Sequence, residues 1–461
     1  MKKKLLVFLL SCQVLLSACT GNGYDNFSFP QNAGKSTITP IDQHKIETHY
    51  EDHGEVLPTV SRAASDDGIC VIENKGIYFD VTLDLEKGDH YAVGKAYGEA
   101  IMKIMPDAEG IMESYIYENI EDAFTNVDDT LYRRLNTRAT ILFDSIHKEY
   151  QDEIRGIAEA FASGEGMIKD GKLSFEEFRL AQFIPDAVRG TACSAVSLDG
   201  SRTESGKRIT SRLLEWYTGT ENQIAKIHAV THIKNAEKSY TAVGCIGLMT
   251  TLTAINRSGV MVGELDVGSV SEDYQIQDKT SYTFAMRYAI ENYPTAREVA
   301  EYLAEHAREY TYCANILVTD ENEALCVEMP VTETDGEVII RDKNTKLLDE
   351  IVNDCQDCLI IVNAYVCEGR DPTGIKFSGN LVRWKRFNEW FAGDSSFSLG
   401  SFKEIMTSER YDERMVLVQI GNNDKGFHLV IADYETRTLQ ASFAREDAKG
   451  EPPVFYEIGT F

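Results

Sequence analysis

Apolar segments typical of strands, separated by polar turns, recur along the chain after residue 193. The strands predicted there cover residues 195–198, 208–214, 224–233, 240–245, 250–265, 315–319, 324–328, 415–420, 427–433 and 438–443. A pair of helices beginning at Tyr282 and Thr295 separates two groups of these strands. The pattern therefore predicts an α+β fold in which antiparallel sheets form layers and helices lie outside them.

Helical periodicity is strongest before residue 193. Apolar residues recur at helical spacing over residues 90–116 and again over residues 152–161. Gly94 and Gly98 lie four residues apart on one face of the first of these helices, where another backbone can approach closely. We therefore expect the part before residue 193 to contribute packed helices.

The first 18 residues predict a signal peptide. A positive segment at residues 2–4 precedes an apolar stretch at residues 5–16 that is too short to span a membrane. The Leu-Ser-Ala-Cys run that follows has the form of a bacterial lipobox, in which Cys19 is lipidated and becomes the mature N-terminus. A plain secretory signal with a chance cysteine is the alternative.

The segment from residue 19 to residue 64 is polar and aperiodic, with scattered Pro, Gly and Asn. Such a composition predicts a flexible tether to the membrane surface. We therefore expect a lipid-anchored lipoprotein of the bacterial cell envelope that faces the periplasm or the cell exterior.

Composition narrows the function classes. The 461 residues are 43% hydrophobic and 10% aromatic, which is ordinary for a globular protein. A formal net charge of −28 argues against nucleic acid as a partner and against a basic face lying on a membrane. Roughly 400 residues remain after signal and tether, enough for one large core or two small ones.

The cysteines do not form a predicted disulfide framework. Of the ten, Cys12 leaves with the signal, Cys19 takes lipid and Cys193 is assigned to chemistry below. The remaining odd number is spread through strand-like segments. Cys355 and Cys358 have the spacing of a redox motif, but no second pair or histidine follows at zinc spacing, so a loop disulfide or two free thiols are the alternatives.

No metal site or cofactor is predicted. His228 and His232 lie four residues apart in a strand-like run and so point to the same face. A third ligand is missing, and packing is the better interpretation.

Cys193 is the candidate nucleophile. It follows a run of small residues that ends at Ala192, and Arg212, Glu215 and then Asn363, at the end of an apolar strand, come after it. Taken singly, these residues could be a buried core thiol, a solvated ion pair and a turn amide. Their order predicts instead a cysteine that becomes a chain terminus and uses its own α-amine as base.

This order of features resembles the acyl-coenzyme A:6-aminopenicillanate acyltransferase-like (isopenicillin N acyltransferase-like) family of cysteine N-terminal-nucleophile (Ntn) hydrolases, relatives of the choloylglycine hydrolases. The resemblance runs from about residue 83 to residue 461. It is carried by residues 93–99, 153–159, 192–194, 212–216, 246–248, 256–260, 315–320, 326–329 and 362–363. It implies an αββα sandwich of antiparallel sheets flanked by helices.

The resemblance implies cleavage between Ala192 and Cys193. Residues 65–192 would then form an N-terminal helical and strand part, the α chain, and residues 193–461 the catalytic part, the β chain, with the two chains remaining associated. A thiol has a pKa near ~8.5 and an α-amine one near ~7.7–8.0, so the freed amine is a usable base at neutral pH.

Each remaining site residue has an expected role. Arg212 would favour the thiolate and orient an acyl or carboxylate group. Glu215 would balance Arg212 and hold the α-amine, and Asn363 would donate its side-chain N–H to the oxyanion. Glu264 and Asp266 lie where relatives of this family carry polar pocket groups.

Four residues depart from the family's pattern. Ala192 replaces a glycine, Leu213 an asparagine, Glu215 an aspartate and Ala364 a histidine. Alanine is still small enough for the tight turn that cleavage requires. Glutamate keeps the charge but reaches one methylene further.

The sequence thus predicts a self-processing enzyme that cleaves, or transfers the acyl group of, a small-molecule acyl amide. Hydrolysis is favoured because a lipoprotein outside the cytoplasm lacks a coenzyme A pool. The alternative is a surface lipoprotein of the same fold that binds an acyl ligand and is catalytically weakened, and the changes at Glu215 and Ala364 favour that interpretation.

Overall fold

Two β-sheets lie at the centre of the computed structural model. It describes residues 50–53, 56–124, 126–161, 164, 166–188, 192–267, 278–331, 336–377, 380–407, 426–445 and 453–461. The predicted signal peptide, the lipidation site Cys19, most of the predicted tether and the predicted strand at residues 415–420 lie outside the described residues.

The strands are numbered here in chain order. They are β1 (Glu51–His53), β2 (Ser61–Ala64), β3 (Cys70–Asn74), β4 (Phe79–Asp84), β5 (Ala192–Leu198), β6 (Ile209–Glu215), β7 (His228–Lys234), β8 (Tyr240–Cys245), β9 (Thr253–Asn256), β10 (Met261–Asp266), β11 (Ala314–Thr319), β12 (Ala324–Met329), β13 (Ile339–Arg341), β14 (Cys358–Val362), β15 (Gly426–Asp433), β16 (Thr438–Phe443) and β17 (Val454–Thr460).

The helices are numbered in the same way. They are α1 (His90–Ile104), α2 (Ala108–Ala123), α3 (Asp129–Ser145), α4 (Lys148–Ala158), α5 (Phe175–Gln182), α6 (Ile184–Ala187), α7 (Tyr282–Asn292), α8 (Ala296–Glu305), α9 (Thr373–Phe377), α10 (Asn380–Phe391) and α11 (Leu399–Met406). None of the helices in the described part of the chain is long and apolar enough to cross a membrane.

Both sheets are almost wholly antiparallel. One has the strand order β1-β17-β16-β15-β6-β5-β14, and the other has the order β13-β12-β11-β10-β9-β8-β7-β4-β3-β2. Parallel pairing occurs between β1 and β17 and between β4 and β7. Their inner faces share a buried layer that includes Val230 and Met261 from one sheet and Val430 and Phe443 from the other. The predicted sandwich of antiparallel sheets is confirmed.

Helices cover the outer faces. Trp384 and Phe387 of α10 pack with Val196 of β5 on one side, and α1 packs on β3 on the other. The order of layers is therefore helices, sheet, sheet, helices, and the predicted α+β class is confirmed. Residues from both the predicted N-terminal and catalytic parts share one large core, so the two parts fold as one unit.

The close helix approach predicted at Gly94 and Gly98 is confirmed. A Cβ built on Gly94 would lie 2.1 Å from the Glu153 carbonyl oxygen, and one on Gly98 would lie 2.4 Å from that of Ile157. Both distances are far below van der Waals contact. Only glycine lets α1 and α4 pack backbone to backbone at these positions.

The predicted tether ends earlier than residue 64. Residues 51–53 and 61–64 form β1 and β2 and pair with β17 and β3. Asp52 also accepts a hydrogen bond from the buried Lys403 ammonium at 2.7 Å. Edge strands are held by backbone hydrogen bonds and need no alternating apolar pattern, which is why the polar sequence did not indicate them.

A buried polar network joins the two predicted parts. Arg287 of α7 donates to both carboxylate oxygens of Glu153 in α4, at 2.5 and 2.8 Å, and both side chains are fully buried. Its Nε donates to Glu291 at 2.8 Å, and His90 contacts Glu153 at 2.7 Å. Breaking a buried pair leaves an uncompensated charge, so this network opposes separation of the parts.

Candidate active site

Neighbouring strands of one sheet bring Cys193 and Asn363 together across the chain. Cys193 is the second residue of β5, and its register partner on β6 is Leu214. On the other side β5 pairs with β14, where Val362 is opposite Ser194. Asn363 therefore follows β14 beside the start of β5. The Cys193 side chain is fully buried.

Arg212 lies against the thiol, as the sequence predicts. Its Nη2 donates to Cys193 Sγ at 3.3 Å and to the Glu264 carbonyl oxygen at 2.6 Å. The Glu264 carboxylate lies 3.7 Å from the same nitrogen, and both side chains are fully buried. A guanidinium this close to sulfur favours the thiolate.

Gly263 makes room for this arginine. A Cβ built on Gly263 would lie 2.7 Å from Arg212 Cγ and 3.2 Å from its Nε. The arginine stem therefore lies directly on the backbone of β10, across the gap between the sheets. A larger residue at position 263 would displace the guanidinium from Cys193.

Asn363 contacts the backbone nitrogen of Cys193, the candidate nucleophile. Its Oδ1 accepts a hydrogen bond from the Cys193 N–H at 2.8 Å, and its Nδ2 donates to the Asp266 carbonyl oxygen at 2.8 Å. The contact with nitrogen positions the group that would become the α-amine. The oxyanion role of Asn363 requires Nδ2 and stays a prediction.

The predicted pairing of Arg212 with Glu215 is wrong. The two residues lie three apart on β6 and so point to opposite faces of the sheet. Arg212 pairs with Glu264, whereas Glu215 Oε2 accepts a hydrogen bond from Arg383 Nη1 at 3.2 Å. Glu264 and Asp266 both reach the site, the first through its carboxylate and the second through its backbone carbonyl.

Arg383 is a site residue that the sequence did not indicate. This residue of α10 donates to the Cys193 carbonyl oxygen at 2.6 Å through Nη1 and to Asn363 Oδ1 at 2.9 Å through Nη2. Nη2 also donates to Asn380 Oδ1 at 2.5 Å. In sequence it is one of several cations in residues 380–391, and no local motif distinguishes it from the others.

An apolar pocket lies beside β6, and Cys193 itself is not among the described residues that line it. It encloses about 710 Å³, counting the space open to solvent, and Leu214, the register partner of Cys193, lies in its wall. Helices α2 and α5 from the predicted N-terminal part supply much of the lining. The lining residues are Met112, Tyr115, Ile116, Leu173, Phe178, Ala181, Gln182, Ile184, Pro185, Leu214, Trp216, Ile224, Ile227, Cys245, Ile246, Gly247, Leu248, Leu252 and Phe427.

The two histidines and the cysteine pair from the sequence analysis contact residues other than Cys193. His228 is buried and its Nε2 contacts the Ala444 carbonyl oxygen, whereas His232 contacts Thr241. No group of metal-ligating side chains is present in the described ranges. The eight cysteines described there, Cys355 and Cys358 included, are not joined in disulfides.

Asp186 ties the segment before Cys193 to the catalytic part. Its buried carboxylate accepts hydrogen bonds from Ser281 Oγ at 2.8 Å, Thr283 Oγ1 at 2.8 Å, Thr311 Oγ1 at 3.0 Å and the Tyr282 N–H at 3.0 Å. Burial nevertheless raises the pKa of Asp186 from 3.8 to about 6, because desolvation outweighs these contacts.

We expect Asp186→Asn to cost less stability at neutral than at acid pH. A raised folded-state pKa adds stability that is complete below the unfolded value of 3.8 and is lost as pH rises through about 6. The difference in free energy of unfolding between the wild-type protein and this variant should therefore shrink by up to about 3 kcal/mol over that window. Urea unfolding between pH 3.8 and pH 6, with both proteins carrying Cys193→Ala so that they stay uncut, measures it. A difference independent of pH would contradict this assignment.

Known structures that this chain resembles include the following three. An N-acylethanolamine-hydrolyzing acid amidase (NAAA) ortholog from Caenorhabditis elegans has 12% identity over 52% of this chain and 92% of its own, with a TM-score of 0.38. Penicillin V acylase from Agrobacterium tumefaciens has 13% identity over 55% and 83%, with a TM-score of 0.32. A mutant of the conjugated bile acid hydrolase from Clostridium perfringens has 11% identity over 57% and 91%, with a TM-score of 0.31.

No protein-family model matches the chain, and no curated protein matches it either. At such low identities and TM-scores, the function has to be argued from the chain's own site.

Proposed function

We propose that this chain is a self-processing cysteine Ntn hydrolase that cleaves small-molecule acyl amides. The contact between Arg212 Nη2 and Cys193 Sγ at 3.3 Å carries the proposal, because it puts a buried cation on the thiol of a residue whose nitrogen is held by Asn363. A cation beside the sulfur lowers a thiol pKa, whereas burial in apolar surroundings raises it, so the Arg212 contact is the one that distinguishes a reactive thiol from a structural one.

Self-processing would begin with attack of the Cys193 thiolate on the Ala192 carbonyl carbon. The C–N bond breaks, the nitrogen takes a proton and becomes the α-amine, and a thioester joins the two chains. Water then hydrolyses the thioester, which releases the Ala192 carboxylate and restores the thiol. Arg383, on the Cys193 carbonyl oxygen, would keep the strand in place during this exchange.

Turnover would use the same atoms on a second amide. The α-amine takes the thiol proton, the thiolate attacks the acyl carbon, and the protonated amine passes its proton to the leaving nitrogen. Water hydrolyses the resulting thioester. Asn363 would orient the amine through Oδ1, and the negative charge of Glu215 would stay paired with Arg383.

The pocket supports an apolar acyl group. Its lining is almost wholly aliphatic and aromatic and includes Leu214, the register partner of Cys193. Burial of an acyl chain there would contribute about 0.8 kcal/mol per CH₂. Water is the proposed acceptor, since lipidation at Cys19 would hold the protein outside the cytoplasm, and the buried Glu153–Arg287 and Asp186 contacts support continued association of the cut chains.

A panel of N-acyl amino acids and conjugated bile acids with short, long and aromatic acyl groups tests this function. We expect release of the free amine, with kcat/KM rising as the apolar surface of the acyl group increases. Cys193→Ala is the matched blank. Binding of these compounds without hydrolysis, by correctly cut protein, would instead favour the alternative of a lipoprotein that only binds an acyl ligand.

A further inference from the structure

The turn that carries Asn363 is fixed by side-chain amides on three successive backbone carbonyls. Asn315 Nδ2 donates to the carbonyl oxygens of Val362 and Ala364, both at 2.9 Å. Asn380 Nδ2 donates to the carbonyl oxygen of Asn363 itself at 2.9 Å. Asn315, which lies on the opposite sheet, thus binds the carbonyl oxygens of the residues before and after Asn363.

Asn315 is suited to this role by its place in the fold. It lies on β11, is fully buried, and reaches across the gap between the sheets to the end of β14. Its register partner on β12 is Glu328. The Glu328 carboxylate accepts hydrogen bonds from the N–H groups of Val366 at 2.7 Å and Cys367 at 3.2 Å. This pair therefore holds both halves of the segment from residue 362 to residue 367.

The position of the Asn363 side chain matters for the proposed reaction, because it contacts the Cys193 nitrogen. Asn363 Oδ1 is 2.8 Å from the Cys193 nitrogen, and a shift of about 1 Å would lose that bond. A misplacement of that size at a catalytic group can cost about 100-fold in rate.

We propose that Asn315 is a positioning residue for the reaction, which sets the place of Asn363 relative to the Cys193 nitrogen. The inference rests on the proposed function. Asn315 donates its hydrogen bonds to the turn rather than to the thiol, so it acts through Asn363. Its loss should lower the rate of self-cleavage and the kcat for acyl amides, with little change in KM.

Asn256 offers a matched control. It too is a buried asparagine at a strand of the same sheet, and its Nδ2 donates to two carbonyl oxygens, those of Ile290 and Tyr293, both at 3.1 Å. Those carbonyls lie at the end of α7, away from Cys193. Asn315→Asp and Asn256→Asp remove the same pair of donors with almost no change of volume.

The experiment measures Tm, the fraction cleaved at residue 193, kcat, KM and hydrogen exchange in full-length Asn315→Asp and Asn256→Asp. We expect Tm to fall in both variants. The loss should be smaller in Asn256→Asp, because Asn256 Oδ1 accepts hydrogen bonds from the N–H groups of Ser258 at 3.0 Å and Val260 at 2.9 Å. A kcat at least ten-fold lower and slower cleavage are expected only in Asn315→Asp. Exchange should rise in the peptides covering residues 192–198 and 358–367 in that variant alone.

The exchange measurement separates this inference from the proposed function. Should the wild-type protein neither cleave itself nor hydrolyse amides, the proposed function fails, while faster exchange at residues 192–198 and 358–367 in Asn315→Asp still upholds the positioning role. Unchanged exchange there, or a kcat equal to that of Asn256→Asp, overturns it.

Discussion

Cys193→Ala should leave the protein as one uncut chain without amidase activity, because the substitution removes the thiol proposed to attack the Ala192 carbonyl and the substrate acyl carbon. Cys193→Ser should process slowly, since a hydroxyl is a weaker nucleophile than a thiolate. Intact mass before and after long incubation, together with release of free amine from the acyl amide panel, measures both effects.

Cys70→Ala is the matched control for this loss. Cys70 is also a fully buried thiol, and burial raises its pKa well above the usual range, which keeps it protonated and unreactive. It should process and turn over at the wild-type rate. Amidase activity retained by Cys193→Ala would show that a residue other than Cys193 is the nucleophile.

Arg383→Met should lower kcat by about 100-fold or more. The substitution keeps much of the side-chain volume but removes the donors to Glu215 and to the Cys193 carbonyl oxygen. Hydrogen bonds to charged groups contribute about 1.5–3 kcal/mol each, and the buried Glu215 carboxylate loses the one from Arg383. Steady-state kinetics and the fraction of cleaved chain measure the effect.

Arg386→Met serves as its control on the same helix. Arg386 lies about one turn further along and pairs with Glu389 at 2.8 Å, with both side chains partly exposed. Surface pairs contribute at most about 1 kcal/mol. We expect wild-type processing and kcat from it. Equal activities of Arg383→Met and Arg386→Met would show that Arg383 has no role in the reaction.

The strand pattern sufficed to predict layered antiparallel sheets with helices outside them, whereas a shared site for Cys193, Arg212 and Asn363 was expected from their order and from the family resemblance. β6 and β14 are buried along their whole length and do not alternate, so their pairing with β5 could not be predicted from the pattern. What the pattern could not fix was which face each charged residue takes. Glu215 was assigned to Arg212, although their spacing on a strand separates them.

The residues missed by sequence reasoning act through tertiary contacts. Arg383 contacts the Cys193 carbonyl oxygen from α10, a helix that carries another arginine and a lysine. Asn315 contacts the Asn363 turn from the other sheet. Neither Arg383 nor Asn315 lies in a recognisable local motif, because the residues that each contacts in the site are distant in the sequence. β1 and β2 were missed since edge pairing requires no apolar alternation.

The most direct test of self-processing is the intact mass of the purified wild-type protein, followed by N-terminal sequencing of each chain. We expect two chains in one folded unit, of which the larger begins at Cys193 and the smaller ends at Ala192. A fully intact and fully active protein, or cleavage at a different bond, would contradict it.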